Sequence, residues 1–434
     1  MVIRELLWLF GEVGYLGDGL PGRLEGGYWK GIALMIRFSN NVSLLRTSEI
    51  RDLMSLATRP DMISFAGGMP GNELFPTEEV DEIYNSLPLD LKRTAFQYGP
   101  TPGFPPLLGV LKEFLRAKGL PVDTNELLIT TGSLQAINIL AKVFIDPGDV
   151  VVTENPCFIG AISAFQSFQG HLHGIDIDAD GVLLDPLKAF LAQSREKAPK
   201  FFYSTPNFHN PAGILYSEER KNGLIEVLKE HQLPLIEDDA YGDLYFDEGA
   251  ARTARPMKAT YDQELPICYT GSFSKILGPG FRLGWMLAPR EVYEKCELIK
   301  QSDDACSPTF TQVLAYEFVR SGRIHPYVAK MRGIYKRRKD TMVAAIHRYF
   351  PEEIKWVEPR GGFYMWCACP PELDLMAVLR ASIEKGAVFV IGKTFDPKGT
   401  DNSHFRLAYS HTPEDKLERG IQIIGEALKD ALRK

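Results

Sequence analysis

Cysteine is scarce in this sequence: its 434 residues include six, and no two of them are spaced as Cys-x-x-Cys. Scattered cysteines in a chain of this length are typical of reduced thiols in the cytosol and exclude a disulfide-rich secreted scaffold. Cys367 and Cys369 lie in an apolar stretch, so we interpret them as buried structural thiols rather than metal ligands. We therefore expect a cytoplasmic protein without a metal site.

Long apolar runs are also lacking. No run approaches the roughly 18–20 residues that a membrane-spanning helix needs. The early run LLWLF is shorter than the roughly 7–15 residues of a signal-peptide core. We predict neither a membrane span nor a targeting signal, and we interpret residues 1–34 as an N-terminal extension of unassigned role. Regular patterning begins only after Met35, which is therefore an alternative start.

An excess of positive charge is missing as well. Lys and Arg number 49 against 56 Asp and Glu, which gives a net charge of −7 and argues against nucleic acid as a main partner. The dinucleotide fingerprint GxGxxG is absent from the glycine-rich stretch at Gly278, Gly280 and Gly284, which fits GxGxxxG and follows a lysine. We therefore discount nucleic-acid and dinucleotide binding.

What the sequence does contain is an alternation of strand-like and helix-like segments between about residues 123 and 285. This order predicts an α/β fold: a large domain whose mostly parallel sheet is flanked by helices. After about residue 325, a long basic amphipathic helix and several strands, including a hairpin with Gly361 and Gly362 at its turn, indicate a smaller α+β domain. We predict that 35–80 and 325–434 form the small domain and 81–324 the large one.

Polar residues follow the predicted strands, where ligands of parallel sheets bind. In chain order they are Ser133, Asn207, Asn210, Asp238, Tyr241, Ser272, Ser274 and Lys275. Gly132 before a helix that opens at Ser133 is one way to form a phosphate cradle, and a plain turn is the alternative. Asn210 precedes a proline, so it is open to the same plain-turn interpretation.

The stretch GSFSKILGPGFRLGW (271–285) gathers hydroxyl groups and a guanidinium around Lys275. A lysine of ordinary pKa, about 10.4, is an ammonium and a poor nucleophile, whereas a lysine joined to an aldehyde anchors a cofactor. A surface turn is the alternative interpretation. Asp238 would be costly to bury unless it faced a positive group, and a protonated ring nitrogen would serve.

Taken in order, TTGS, NPAG, EDDAY and GSFSKILGPGFRLGW resemble motifs of the pyridoxal-phosphate-dependent class I aminotransferases of fold type I. The stretches ISFAGGMPGNELFP (63–76) and FQYGPTPGFPPL (96–107) are similar to those of the branch that holds 2-aminoadipate, kynurenine and aromatic aminotransferases. The resemblance implies pyridoxal 5'-phosphate (PLP) as cofactor and a homodimer with shared active sites.

The resemblance also implies roles for the cofactor-binding residues. Lys275 matches the Schiff-base lysine, and Asp238 matches the acid that keeps the pyridine nitrogen protonated. Tyr241 and Asn210 match the pair that donates to the ring's phenolic oxygen. Phe158 stands where this branch often has a tyrosine stacked on the ring.

Further matches concern the phosphate. Ser133, Ser272, Ser274 and Arg282 match phosphate ligands. Tyr98 matches the tyrosine that reaches the phosphate from the neighbouring subunit.

Substrate contacts follow from the same resemblance. Arg406 matches the arginine that clamps the substrate α-carboxylate, for which a planar guanidinium is suited. Asn210 and Gly68 match contacts near that carboxylate. Arg51, on a helix expected to cover the pocket, is a candidate partner for a distal substrate carboxylate, and a solvated helix arginine is the alternative.

The resemblance implies an aminotransferase that moves the α-amino group of 2-aminoadipate, an aromatic amino acid or a related donor to a 2-oxo acid such as 2-oxoglutarate. Two alternatives stay open. One is a PLP lyase or decarboxylase of the same fold. The other is a transcription regulator with an aminotransferase-like domain, against which we set the absence of a basic recognition helix in the about 45 residues that precede the first motifs.

Overall fold

The computed structural model describes residues 38–44, 61–194 and 197–433. The predicted extension 1–34, Met35 and Arg51 lie outside these ranges. The described residues from 61 onward belong to one compact unit, and a short 3-10 helix, Asn40–Leu44, comes before it in the sequence.

The strands of the described residues are, in chain order, β1 (Ile63–Ser64), β2 (Glu126–Thr130), β3 (Val150–Asn155), β4 (His171–Asp178), β5 (Gly181–Val182), β6 (Phe202–Ser204), β7 (Leu235–Asp239), β8 (Ile267–Ser272), β9 (Gly284–Ala288), β10 (Lys355–Trp356), β11 (Tyr364–Ala368), β12 (Ala387–Val388), β13 (Val390–Ile391) and β14 (His404–Ala408). The α-helices are α1 (Thr77–Ser86), α2 (Leu89–Ala95), α3 (Pro105–Ala117), α4 (Ser133–Phe144), α5 (Ile159–Ser167), α6 (Leu184–Gln193), α7 (Glu218–Glu230), α8 (Glu248–Thr253), α9 (Lys258–Tyr261), α10 (Arg290–Asp303), α11 (Thr309–Arg320), α12 (Ile324–Tyr349), α13 (Leu375–Glu384) and α14 (Glu414–Leu432). Short 3-10 segments lie at Asn72–Leu74, Pro279–Phe281 and Gly392–Thr394.

The largest sheet has eight strands in the order β2-β9-β8-β7-β6-β3-β4-β5. The central strands β8, β7, β6, β3 and β4 are parallel, whereas β9 runs antiparallel to both of its neighbours. A four-stranded antiparallel sheet, β10-β11-β14-β13, and the parallel pair β1-β12 complete the described strands. The predicted fold class is confirmed.

Helices cover both faces of the large sheet, which explains why its central strands β6, β7 and β8 are buried along their whole length. Successive strand residues point to opposite faces. Tyr203 and Ile236 pack in a cluster with α4 and α5, while Phe202 and Leu235 pack in a second cluster with α6 and α7. Strands buried on both faces read as continuous hydrophobic runs.

The later part of the chain follows the predicted change of character. The basic amphipathic segment forms α12, which packs with α14 against the apolar side chains of the four-stranded sheet. β1 comes from the predicted N-terminal part of the small domain, and it pairs with β12 of the C-terminal part. This pairing joins the two predicted parts of the small domain, and the division into 35–80 with 325–434 and 81–324 stays a prediction. None of the described helices is both long and apolar enough to cross a membrane.

Candidate active site

A cavity of about 320 Å³ opens at the carboxyl ends of β6, β7 and β8. Every predicted site residue in the described ranges except Tyr98 lines it. The lining residues that the sequence predicts are Gly68, Ser133, Phe158, Asn210, Asp238, Tyr241, Ser272, Ser274, Lys275, Arg282 and Arg406. Gly132, which the sequence analysis placed at the possible phosphate cradle, also lines the cavity, and the lining residues without a predicted role are Leu134, Ile159, Thr205, Ala240 and Tyr364.

Lys275 lies in the reversal between β8 and β9 and is accessible only in part. Its Nζ donates to the backbone oxygen of Gly68 over 2.8 Å. Burial, together with the positive charges of Arg406 and Arg282, lowers the pKa of Lys275 to about 8. A neutral amine, which is the form that attacks a carbonyl and accepts a proton, is therefore accessible near neutral pH.

An anion cradle forms where α4 begins. Gly132 takes a positive φ of 82°, and no side chain caps the helix at this end, so its first N–H groups keep their partial positive charge. The guanidinium of Arg282 donates to the backbone oxygen of Thr131 over 3.3 Å, beside the same turn. The backbone N–H of Ser274 donates to the Ser272 hydroxyl over 3.0 Å. Backbone N–H groups, hydroxyls and a guanidinium are a donor set suited to phosphate.

Gly284, the first residue of β9, lies between the cradle and the segment that carries Lys275. It pairs with Thr130 on one side and with Ser272 on the other. A Cβ at Gly284 would lie 2.6 Å from backbone atoms of Gly132 and Ser133. A glycine is therefore required for β9 to approach the start of α4 so closely.

Asp238, near the end of β7, is a buried carboxylate without a cationic hydrogen-bond partner. Tyr203 donates to one of its oxygens over 2.7 Å, and Thr270 donates to the other over 2.8 Å. Burial raises the pKa of Asp238 to about 6 although both hydrogen bonds favour the anion. A cationic ring nitrogen would compensate this buried charge, so the residue fits the pyridine end of PLP.

Arg406, on β14, is a buried cation without an anionic hydrogen-bond partner among the described residues. Its guanidinium donates to Asn210 Oδ1 over 2.8 Å and to the backbone oxygen of Ala66 over 2.6 Å, and both acceptors are neutral. Its buried Nε has no partner among the described residues. Burial lowers the pKa of Arg406. An anionic ligand would compensate this guanidinium, as the α-carboxylate of an amino acid does in a charge-assisted pair.

The sequence profile of the family described as "Aminotransferase class I and II" matches residues 65–424. The chain belongs to this family. The aromatic-amino-acid aminotransferase 1 of Thermococcus litoralis is 35% identical to this protein over 92% of this chain and 95% of its own. The 2-aminoadipate transaminase of Thermus thermophilus is 34% identical over 91% of this chain and 97% of its own.

Solved structures agree with these relatives. A Pyrococcus horikoshii kynurenine aminotransferase, crystallised with PMP, superposes with a TM-score of 0.87 at 35% identity, covering 92% of this chain and 98% of that one. The predicted family, cofactor and reaction class are confirmed: the protein is a PLP-dependent enzyme that transfers amino groups. The relatives also include the HTH-type regulator YdfD of Bacillus subtilis, 30% identical over 88% of this chain and 77% of its own.

Two lining residues of the aminotransferase carry polar groups that the sequence analysis missed. Thr205, whose buried hydroxyl has no partner among the described residues, follows β6 directly, so the rule of strand ends would have found it. Tyr364 begins β11 of the four-stranded sheet, and no local signal in the sequence connects it with this cavity. Tyr98 is 86% exposed and lies outside the cavity lining, so its contact with a phosphate across subunits stays a prediction.

A buried lysine outside the cavity lining of the aminotransferase stabilises the cradle through hydrogen bonds. Lys300 of α10 donates to both oxygens of Asp304 over 2.7 and 2.9 Å and to Gln135 Oε1 over 3.1 Å. The hydroxyl of Thr131, next to Gly132, donates to the same aspartate over 2.9 Å. This cluster ties the turn before α4 to the end of α10.

Lys300→Met is expected to lower the free energy of unfolding by about 2 kcal/mol, because the partly buried Asp304 would lose its cation and keep only neutral hydrogen-bond partners. We also expect a higher dissociation constant for PLP, because the cradle would lose its brace. Urea unfolding and fluorescence titration of the cofactor-free protein measure both. Lys142→Met is the matched control: its 3.0 Å pair with Asp303 joins the same two helices at the surface, and such pairs contribute about 1 kcal/mol or less. Equal losses in the two variants would contradict the bracing role.

Proposed function

We propose that the enzyme transfers the α-amino group of 2-aminoadipate, an aromatic amino acid or a related donor to a 2-oxo acid such as 2-oxoglutarate. The observation that carries this proposal is the cavity itself, which combines an amine of lowered pKa, a buried carboxylate and a buried guanidinium, each without an oppositely charged hydrogen-bond partner. The names of the relatives support the donor class.

We propose the following roles for the residues that hold PLP. Lys275 is the point of covalent attachment, Asp238 binds the ring nitrogen, and Tyr241 and Asn210 donate to the phenolic oxygen. Phe158 covers the ring. Ser133, Ser272, Ser274 and Arg282 bind the phosphate. When bound, PLP supplies an electron sink for the negative charge that develops at the substrate α-carbon.

Arg406 binds the substrate α-carboxylate next to Asn210 and Gly68 and so orients the Cα–H bond. Lys275 in its neutral form would accept the α-proton at Nζ and return it at a different carbon. Water would then supply the oxygen of the 2-oxo acid that is released, while the amino group stays behind for the second substrate. The lowered pKa of Lys275 makes this exchange accessible near neutral pH. Arg51 stays a predicted partner for a distal carboxylate and lies outside the described residues.

A screen of amino donors with 2-oxoglutarate tests the proposal. We expect glutamate and the matching 2-oxo acid in equal amounts, with aromatic donors and 2-aminoadipate among the best. Release of ammonia or carbon dioxide without glutamate would instead favour the lyase or decarboxylase. Binding of amino acids without any turnover would favour a sensor role.

We also propose a cytoplasmic homodimer. Phe96 and Tyr98, two residues apart in the sequence, are 75% and 86% exposed, and exposed large aromatic side chains are enriched at interaction surfaces. All six cysteines are free thiols, which supports a reducing compartment. We expect light scattering to give the mass of two chains and the double variant Phe96→Asp/Tyr98→Ala to give that of one, with weaker PLP binding. A monomeric wild-type protein with full activity would contradict the dimer.

A further inference from the structure

Tyr364 places a hydroxyl in the cavity to which the proposed function gives no role. The residue is buried, with 2% of its surface exposed, and it lines the cavity. Its hydroxyl oxygen lies 2.8 Å from the hydroxyl oxygen of Tyr241. It also occupies the space above Gly68, where a Cβ would lie 1.7 Å from it. The backbone oxygen of Gly68 is the atom to which Lys275 donates. The Tyr364 hydroxyl therefore lies beside Tyr241 and beside the glycine that accepts from Lys275.

The ring of Tyr364 lies between two residues that the proposed function uses. On one side, the guanidinium carbon of Arg406 is 4.4 Å from the ring centroid. On the other, the ring of Tyr241 meets it edge-on at 5.6 Å between centroids. Its position links the substrate carboxylate site to the cofactor oxygen site.

The direction of the hydrogen bond between the two phenols follows from their surroundings. A phenol can donate one proton and still accept another. The Arg406 guanidinium lies over the ring of Tyr364, 4.4 Å from its centroid, and withdraws electron density from it, which makes the Tyr364 hydroxyl a good donor. Tyr241 then accepts that proton and keeps its own for another acceptor in the cavity.

We propose that Tyr364 is a positioning residue of the aminotransferase: it donates to Tyr241 and thereby directs the Tyr241 proton to the phenolic oxygen of bound PLP. This inference rests on the cofactor role of Tyr241 in the proposed function. It makes Tyr364 act through Tyr241 rather than on the substrate.

The variant Tyr364→Phe removes the hydroxyl and keeps the ring. Because Tyr241 becomes a weaker donor, the negative charge on the cofactor oxygen is less stabilised, and the PLP-bound enzyme holds its proton to higher pH. We expect the midpoint pH of the change in visible absorption to rise by about 0.5 unit, the size of one ordinary hydrogen bond. In the Tyr241→Phe background, we expect no further shift from Tyr364→Phe.

Tyr335→Phe is the matched control. Tyr335 is fully buried, its ring lies 4.7 Å from that of Phe363, and its hydroxyl has no partner among the described residues. This change should leave the midpoint unmoved, and thermal unfolding of all variants checks that they fold.

An unchanged or lowered midpoint for Tyr364→Phe, or an undiminished shift in the Tyr241→Phe background, would overturn the proposal. The absorption readout does not depend on turnover. Failure of the proposed function would appear separately, as a wild-type enzyme that forms no glutamate in the donor screen.

Discussion

Replacing Lys275 by alanine is expected to lower the rate of amino transfer by about 10⁴-fold or more, while PLP still binds without a covalent link. The variant removes the one amine that the described cavity lining provides. The remaining cations there, Arg282 and Arg406, do not release a proton at neutral pH and cannot replace it as a base. The cradle and Asp238 are untouched, so the cofactor keeps its other partners. Steady-state formation of glutamate measures the loss, and borohydride reduction followed by mass spectrometry measures the covalent link.

Lys275→Arg and an added amine separate the chemistry of this residue from its charge. Arginine keeps the positive charge but has a pKa above about 12, so we expect it to be as inactive as alanine. A small primary amine in solution should restore part of the rate in Lys275→Ala, because it supplies a base in the space that the side chain leaves. Near-normal transfer by either variant without added amine would refute the role of Lys275.

Asp238→Asn is expected to lower the rate by about 10²–10³-fold, because a neutral amide cannot stabilise a protonated ring nitrogen. The hydroxyls of Tyr203 and Thr270 can rotate to satisfy the amide, so the fold should survive. Turnover should remain low even at saturating PLP. Recovery of the rate at high cofactor concentration would show that Asp238 contributes only to binding.

The same substitution should stabilise the cofactor-free protein. The folded pKa of Asp238, about 6, exceeds the unfolded value of about 3.9. The stability that comes from this group is present below about pH 4 and is lost as the pH rises through about 6. We therefore expect the asparagine variant to be more stable than the wild type at pH 7 by about 3 kcal/mol, with the difference becoming small near pH 4.

Asp239→Asn is the matched control for both measurements. Burial also raises the pKa of Asp239, which accepts hydrogen bonds from Tyr269 and Gly242 and does not line the cavity. Its replacement should raise the stability of the cofactor-free protein at pH 7 and leave turnover within about threefold of the wild type. A loss of activity equal to that of Asp238→Asn would mean that the effect is not specific to the ring nitrogen.

The sequence was sufficient to predict that the candidate residues which follow directly on a strand lie close together. Ser133, Asp238 and Lys275 each come at or just after a buried apolar run, and parallel strands bring such positions to one edge of the sheet. The start of α7 is also set by a local interaction: Ser217 caps it by accepting from the backbone N–H of Arg220. In these cases the controlling interactions are local.

Where distant chain segments meet, sequence alone was insufficient. The hairpin predicted around Gly361 and Gly362 does pair β10 with β11, but Gly361 also bridges to Tyr245, and a Cβ there would lie 2.4 Å from Phe208. The role proposed for Tyr364 depends on its contact with Tyr241, which is distant in the sequence. Lys300 has the sequence context of an ordinary helix lysine, and only the structure shows that it donates to Asp304 and Gln135. No periodicity in the sequence encodes these partners.

The position of β9 between β2 and β8 has a consequence for how the protein matures. β9 follows β8 closely in the sequence, whereas β2 lies far earlier in the chain, so the ordered cradle requires the non-local pairing of β2 with β9. Until that pairing, β9 presents an unpaired edge, and such edges are templates for aggregation. Because the cradle proposed to hold the PLP phosphate is complete only after this pairing, binding of PLP stabilises newly made chains in the fully paired state. Cells starved of the vitamin from which PLP is made should therefore lose this enzyme to degradation or insoluble deposits before they lose its messenger RNA.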